Sequence, residues 1–499
     1  MKDVMTIYPC GVPLAATPAV SREVMHRAPT RLTRYARKRR LSALLISGFS
    51  VLLTQAFNAA PAFAATPDGV VDPQHIAQAY DYAYPSFALS KFRWNALNER
   101  GNKTSTTLNA FVHQRAMTTT ADTWAASPLV DCLYSTAWLD LSAGPVTIDT
   151  PNTHDRYYVL TLIDYFSNTF SYAGSRTTGT APQKYLVVGP DWRGPTPQGL
   201  KVVRSPTNDV YINLRVAING ADDQAVANAV QDGFSLRQQQ TGAERRPTPI
   251  KPIPDDLENY LAVVNQALAN NPPPSNDADL MQRLRTVGIC GADCSWEKLP
   301  DNVRQAWRDN FDRLTHQFDQ SLDRPWTGRP GWINYAPPGS KMGSANRVDY
   351  HRRASEISHG LGMLGLAPAE AAYAAAGYSS DGQALVGSKN YRLHIPPGGI
   401  PSNVYWSVTL YEFKQGSEFL TTNPINRYRV SSHTPEFVGN SDGSIDVWVQ
   451  ATQPTGDKAT NWLPSPANGG RFWFIARSYG PKPEVLEGKF SLPPVEVIQ

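Results

Sequence analysis

Hydrophobic and polar positions change period several times along the chain, and each change marks a region. Between His75 and Leu97 apolar and aromatic residues recur at helical spacing, including Tyr80, Tyr82, Tyr84, Phe87 and Phe92. This predicts a helix that Pro85 kinks or breaks, because proline removes one backbone donor. From Leu129 to about Arg215 the period shortens toward two. Residues 156–164, 184–189 and 210–216 read as half-buried strands, separated by turns rich in Gly, Pro, Asn and Thr. That spacing suits a sandwich or barrel. Pro247, Pro249, Pro252 and Pro254, in the stretch Arg245–Pro254, mark a stiff linker or boundary.

Helical periodicity follows. Asp255 and Asp256 suit a first turn, and Leu257, Tyr260, Leu261, Val264 and Leu268 share one face behind them. Val303, Trp307, Phe311, Leu314, Phe318 and Leu322 step by three or four, and a third helical region is predicted from about Tyr350 to Ala375. From Tyr391 alternation returns. Val404, Trp406, Val408 and Leu410 alternate with Tyr405, Ser407, Thr409 and Tyr411, and 445–450 and 472–477 read as further strands. One echo links the halves: Thr161-Leu162-Ile163-Asp164-Tyr165 is similar to Thr409-Leu410-Tyr411-Glu412-Phe413. The expected order is an N-terminal helix plus β-domain (65–250), a helical insert (251–385) and a C-terminal β-domain (386–499), in a mainly β protein with helical segments.

Ahead of residue 65 the pattern differs. Arg31, Arg34, Arg37, Lys38, Arg39 and Arg40 precede an apolar stretch from Leu41 to Phe57 and then Ala62-Phe63-Ala64. Basic region, apolar region and small-x-small site, in that order, predict a secretory signal peptide over 1–64, cut after Ala64. A start at Met25 leaves a leader of more ordinary length. A retained anchor needs about 18–20 apolar residues, and Ser42, Ser47, Gly48, Ser50 and Thr54 interrupt this stretch. No stable membrane anchor is expected, and the expected location is periplasmic or secreted.

The leader changes the charge argument. It holds nine basic and two acidic residues, a net of +7, so the rest of this +4 chain carries about −3. No basic stripe remains to neutralise phosphates, and no nucleic-acid partner is expected. Cys10 lies in the leader. In an oxidising compartment Cys290 and Cys294 are positioned for a small disulfide loop, with a metal half-site or two free thiols as alternatives, and Cys132 is left over. The histidines at 75, 113, 154, 316, 351, 359, 394 and 433 are scattered singly, so no metal and no cofactor are expected. Nucleophile-elbow, Walker and zincin motifs are missing. In Gly174–Gly179 the glycines stand at P-loop spacing, but Thr180 replaces the lysine. Gly360–Gly365 has dinucleotide-fingerprint spacing, yet the polar helical pattern of 352–359 precedes it where a hydrophobic strand is required.

Leu133–Ser142, Arg156-Tyr157-Tyr158, Gly174–Gly179 and Val188-Gly189-Pro190 resemble the domain of unknown function numbered 1254. Tyr391–His394, Trp406–Tyr411, Asn426–Tyr428, Asp442–Ser444, Asn461–Pro464 and Tyr479–Pro481 resemble its usual partner, numbered 1214. The resemblance implies two jelly-roll-like β-sandwich domains joined by helices, in a class often exported, and it brings no settled activity. Where the family has Asn-x-Asp-Thr before Leu-Tyr-Ser, this chain has Pro128-Leu129-Val130-Asp131-Cys132, which alters any ligand contact made there.

Two residue sets carry candidate chemistry. In the first, Arg176 suits bidentate capture of a carboxylate or sulfate, Tyr134 suits proton donation, and Asp131 suits a base if buried, with Tyr172 and Thr177 beside them. The bland reading is that Arg and Asp tie loops together. In the second, Arg427, Asp442, Asn461, Trp462, Arg477 and Tyr479 form a polar-aromatic group, though turn chemistry explains Asp442 and Asn461 and a core role explains Trp462. A site between the two β-domains could use both sets. The expectation is a binding protein for a small polar molecule or carbohydrate. The alternatives are a hydrolase or lyase with a Tyr/Asp/Arg site, and a structural envelope protein that builds a homo-oligomer.

Overall fold

The computed structural model describes residues 69–498 except 102, 124–125, 240–246, 319–327, 336–348, 359–364, 415–416 and 435. The expected leader, Leu322, the start of the proline-rich stretch and most of the Gly360–Gly365 motif therefore lie outside the described residues. Among the described residues no helix is long and apolar enough to cross a membrane.

The first nine strands are β1 (Val112–His113), β2 (Cys132–Asp140), β3 (Val146–Thr150), β4 (Tyr158–Ile163), β5 (Thr169–Gly174), β6 (Gln183–Val188), β7 (Lys201–Arg204), β8 (Asp209–Ala217) and β9 (Ser235–Gln238). They form two open sheets, ordered β1-β2-β8-β4-β5 and β7-β6-β3-β9. Alternation explains why the sheets meet: Val210, Ile212, Leu214 and Val216 of one share a buried cluster with Val146, Ile148, Val187 and Val203 of the other. Each such side chain contributes about 1.5–3 kcal/mol when fully buried.

The later strands are β10 (Ile333–Tyr335), β11 (Ala371–Ala376), β12 (Asn390–Ile395), β13 (Ser402–Lys414), β14 (Ser417–Phe419), β15 (Arg429–Ser431), β16 (Ile445–Gln450), β17 (Trp462–Pro464), β18 (Phe472–Pro481) and β19 (Glu496–Ile498). Their sheets run β10-β11-β18-β13-β14, with β15 also on β13, and β17-β16-β12-β19. Apart from β15, this repeats the first half strand for strand. Even the parallel pair recurs, β6 with β7 and β16 with β17, in otherwise antiparallel sheets. The sequence echo lies on β4 and β13. Aligning Thr161 with Thr409 and following the pairing registers matches Arg215 with Arg477, Tyr134 with Tyr373, and Tyr157 with Tyr405. The protein is thus mainly β with helical parts, built from two topologically matched halves.

Among the described residues the α-helices are α1 (Pro73–Asn98), α2 (Gln224–Asp232), α3 (Leu257–Asn270), α4 (Ala278–Arg285), α5 (Asp301–His316), α6 (Tyr350–Ser358) and α7 (Pro483–Leu486). Asp72 caps α1, accepting from the Gln74 backbone N–H at 2.8 Å. One face of α1 packs with α3 to α6 around Tyr80, Tyr260, Trp307 and Phe311. Leu89 and Ala96 instead meet Trp138 and Tyr211 of the first half.

One expectation narrows and one changes. Of the kink or break expected at Pro85, the break does not occur, and the proline lies buried inside the helix; packing on both sides of it outweighs the one backbone bond it removes. The last residues of the helical region expected to about Ala375 instead form the strand Ala371–Ala376, between β10 and β18. Alanine's helix propensity is a weak preference that sheet pairing overrides.

Candidate functional site

The strand faces turned away from the two apolar cores pack against each other. Tyr134, Tyr157 and Tyr172 of the first half share a buried cluster with Tyr373, Tyr405, Tyr411 and Tyr479 of the second. On β8 this face carries Tyr211, Asn213 and Arg215, all buried. The two halves therefore join through a polar-aromatic seam.

Charges cross this seam reciprocally. Asp131 and Glu370 stand at matched places, each one residue before its half's first long strand, and both are buried. The Asp131 carboxylate pairs with Arg429 Nε at 2.7 Å and accepts from Ser407 Oγ at 2.7 Å. Glu370 accepts from Tyr157 OH at 2.7 Å and from Arg176 Nε at 2.5 Å. Arg477 donates to Tyr411 OH at 3.0 Å and to the Ser127 carbonyl at 3.1 Å. Arg215 donates to Asn213 Oδ1 at 3.1 Å and sits over the Tyr134 ring. Buried charges must be paired or hydrogen-bonded to be tolerated: Asp131 and Glu370 each face an arginine, and Arg215 and Arg477 donate to neutral oxygens.

The tyrosines are mostly spoken for. Tyr134 OH accepts from the Leu129 N–H at 3.1 Å, and burial pushes its hydroxyl up to about 12. Tyr172 OH accepts from the Ala367 N–H at 2.9 Å, with burial again raising it to about 12. Cys132 Sγ lies 3.0 Å from Tyr405 OH, and burial raises the thiol to about 12. Tyr479 stacks on Tyr405 at 4.3 Å, and its buried hydroxyl has no partner among the described residues.

Of the residues singled out in the sequence, Asp131, Tyr134, Tyr172, Arg176 and Arg477 meet at the seam. Thr177 closes the turn beside it, its hydroxyl donating to the Tyr172 carbonyl at 3.2 Å. The others lie elsewhere, on the sheet of β12, β16, β17 and β19. Arg427 donates to the carbonyls of Thr460 and Trp462 at 2.8 and 2.9 Å. Asn461 is taken up by the backbone of Val438 and Asp446. The buried Trp462 donates its indole N–H to the Gln450 carbonyl at 2.8 Å. These three staple one sheet, and Asp442 fixes a turn by accepting from Ser444 N–H and Oγ, so the second set divides, with Arg477 and Tyr479 at the seam.

Sequence reasoning missed Tyr157, Arg215, Glu370, Tyr405 and Arg429. The signal for Arg215 is Tyr211, Asn213 and Arg215 alternating with four aliphatic residues, a polar face that here meets protein instead of water. Cys290 and Cys294 form a disulfide with Cα atoms 5.5 Å apart. Asn265 Oδ1 steadies that loop, accepting from the N–H groups of both Cys290 and Gly291. Among the described residues no group of three or more His, Cys, Asp or Glu could hold a metal ion.

Fold and seam define a class of protein in which matched β halves share a buried, charge-crossed face. Residues 108–238 match the family described as protein of unknown function DUF1254, and residues 370–483 match the family described as protein of unknown function DUF1214. Among solved structures it is similar to the VPA0106 protein from Vibrio parahaemolyticus, with TM-score 0.64 and 21% identity, covering 86% of this chain and 100% of that one. At that identity the likeness speaks to fold alone. An uncharacterised protein from Burkholderia cenocepacia aligns over 87% of this chain and 91% of its own at 14% identity, but its TM-score of 0.42 carries no argument. No curated protein matches the chain.

Proposed function

We propose that this is an exported binding protein, periplasmic or secreted, with two jelly-roll-like β-sandwich domains. It holds a small acidic molecule or an acidic carbohydrate at the mouth of the seam. The observation that carries this reading is the state of Arg176. Its side chain is 33% exposed while its partner Glu370 is sealed. Glu370 takes Nε, and the Tyr172 ring lies 5.9 Å from the guanidinium carbon. The two Nη groups have no partner among the described residues. A guanidinium fixed from behind, with a free edge forward, suits two parallel bonds to a carboxylate or sulfate. The leader pattern supports export.

A hydrolase or lyase using Tyr134 and Asp131 has less support. Both are buried, Asp131 is committed to Arg429 and Ser407, and Tyr134 holds its proton well above neutral pH.

The test is a thermal-shift screen of the purified protein against organic acids, sugar acids, neutral sugars and sulfate. A ligand at 100 times its Kd adds about 2.7 kcal/mol. The expected result is a shift with an acidic compound that Arg176→Ala removes and Arg427→Ala keeps. A shift retained in Arg176→Ala, or none with any acid, overturns the reading.

A further inference from the structure

The repeat supplies an internal control for a cavity in the second half. On the face of β11 and β18 turned away from the seam lies a space of about 380 Å³. Its floor is Ala372, Ala374, Ala476 and Ser478. The matched positions in the first half, by strand register, are Leu133, Ser135, Leu214 and Val216. Every floor residue is smaller than its counterpart.

The covering element differs as well. In the first half, the chain leaving β8 forms the nine-residue α2. Ala227 of that helix packs on Leu133, and Val230 enters the apolar core. The buried Gln231 donates to the Tyr134 carbonyl at 3.1 Å and to Ser135 Oγ at 2.9 Å. In the second half, the chain leaving β18 forms only α7, a single turn of four residues. Val485 and Leu486 stand at the cavity rim, and Leu486 is 48% exposed. Smaller floor and shorter cover together open a space that the first half fills.

The remaining lining sets the chemistry. Trp332, Ile400, Phe490 and Leu492 supply apolar walls. The polar groups inside are already used: Trp332 Nε1 donates to the Pro493 carbonyl at 2.9 Å, and Ser478 Oγ donates to the Pro401 carbonyl at 2.9 Å. Asn334 and Glu487 lie on the outer side, where Lys489 pairs with Glu487 at 2.6 Å. The charged lining residues are Glu487 and Arg477, and the Arg477 guanidinium is turned to the seam, where it donates to Tyr411 OH and the Ser127 carbonyl, so apolar groups dominate the interior.

We propose that this cavity binds a small, largely apolar molecule with an aromatic or branched aliphatic body, its polar end outward near Asn334. The volume lies in the roughly 300–1,000 Å³ range of small-molecule sites. The site is separate from the Arg176 mouth and does not depend on it.

The probe is 1-aminoanthracene, a neutral fluorophore whose emission rises on leaving water, titrated into the purified full-length protein. Saturable one-to-one binding is expected. Ala372→Leu copies the leucine that the first half carries at the matched position, and Ala374→Leu fills the centre of the floor. Each is expected to weaken the probe at least tenfold with the melting temperature unchanged or raised, while Arg176→Ala leaves probe affinity as it was. An absence of saturable binding to the unaltered protein overturns the proposal, as does unchanged affinity in both leucine variants.

Discussion

Replacing Glu370 by Gln tests whether the charges crossing the seam act as pairs. The amide carbonyl can still accept from Tyr157, but an amide N–H then faces Arg176 Nε, which now lies 2.5 Å from a carboxylate oxygen. Breaking a buried pair by removing one partner costs about 3–5 kcal/mol. Because a third of the Arg176 side chain is exposed, water replaces part of the lost interaction, and about 2 kcal/mol is expected. Arg176→Met leaves the Glu370 carboxylate buried with only Tyr157 as donor, at a cost of about 3 kcal/mol. In the double variant the neutral amide has no opposing donor, so the loss should be only about 1–2 kcal/mol. The cycle therefore predicts a coupling of about 3 kcal/mol. With unfolding entropy near 2 cal/mol/K per residue over roughly 400 residues, each single change lowers Tm by only about 2–4 °C. Urea titration followed by tryptophan fluorescence is the better assay. Effects that add to within about 0.5 kcal/mol would refute the pairing argument.

Other outcomes follow from the same geometry. Native protein should show no reactive thiol among Cys132, Cys290 and Cys294 toward Ellman's reagent, because Cys132 is buried with its thiol raised to about 12 and the other two are bonded. Denaturation without reductant should expose Cys132 alone, and a fast native reaction at neutral pH would contradict its burial. His113 is held down at about 4 by burial and then by nearby Arg115. Its unfolded value is near 6.5, so the unfolded chain binds the proton first, and stability should fall as pH drops from about 6.5 toward 4. His113→Gln should flatten that slope by something on the order of 1 kcal/mol, read from urea midpoints across the window, and an unchanged slope would remove His113 as its source.

Much of the fold was legible because the two periods are physical. Strands at 158–163, 183–188, 209–217, 445–450 and from 472 onward lie where alternation put them, since each has one face on an apolar core. The five-residue echo was the visible trace of the repeat, and it lies on the matched strands β4 and β13. What alternation could not say is what the other face meets. Tyr405, Ser407, Thr409 and Tyr411 form the second row of that alternation, yet all four are buried, and Tyr405, Ser407 and Tyr411 bond to the first half. Arg477 and Arg427 looked alike in sequence. One crosses the seam and the other staples a sheet, a distinction that pairing register settles and local composition does not. Ala371–Ala376 misled because its small residues serve sheet packing, where helix propensity has little influence.

The repeat also bears on what a single chain can do that a pair of identical chains cannot. The seam has the logic of an isologous dimer interface, with Glu370 reaching Tyr157 and Cys132, next to the matched Asp131, reaching the matched Tyr405. In a true homodimer every side chain near the axis must appear twice. Here Tyr479 matches Ala217, and its one ring lies 4.3 Å from Tyr405 and 5.7 Å from Tyr157. A second such ring would compete for the same central tyrosines, and two alanines would leave a hole. Covalent fusion permits one large and one small residue at symmetry-matched places, so the centre is filled once and the two ends of the seam are free to differ.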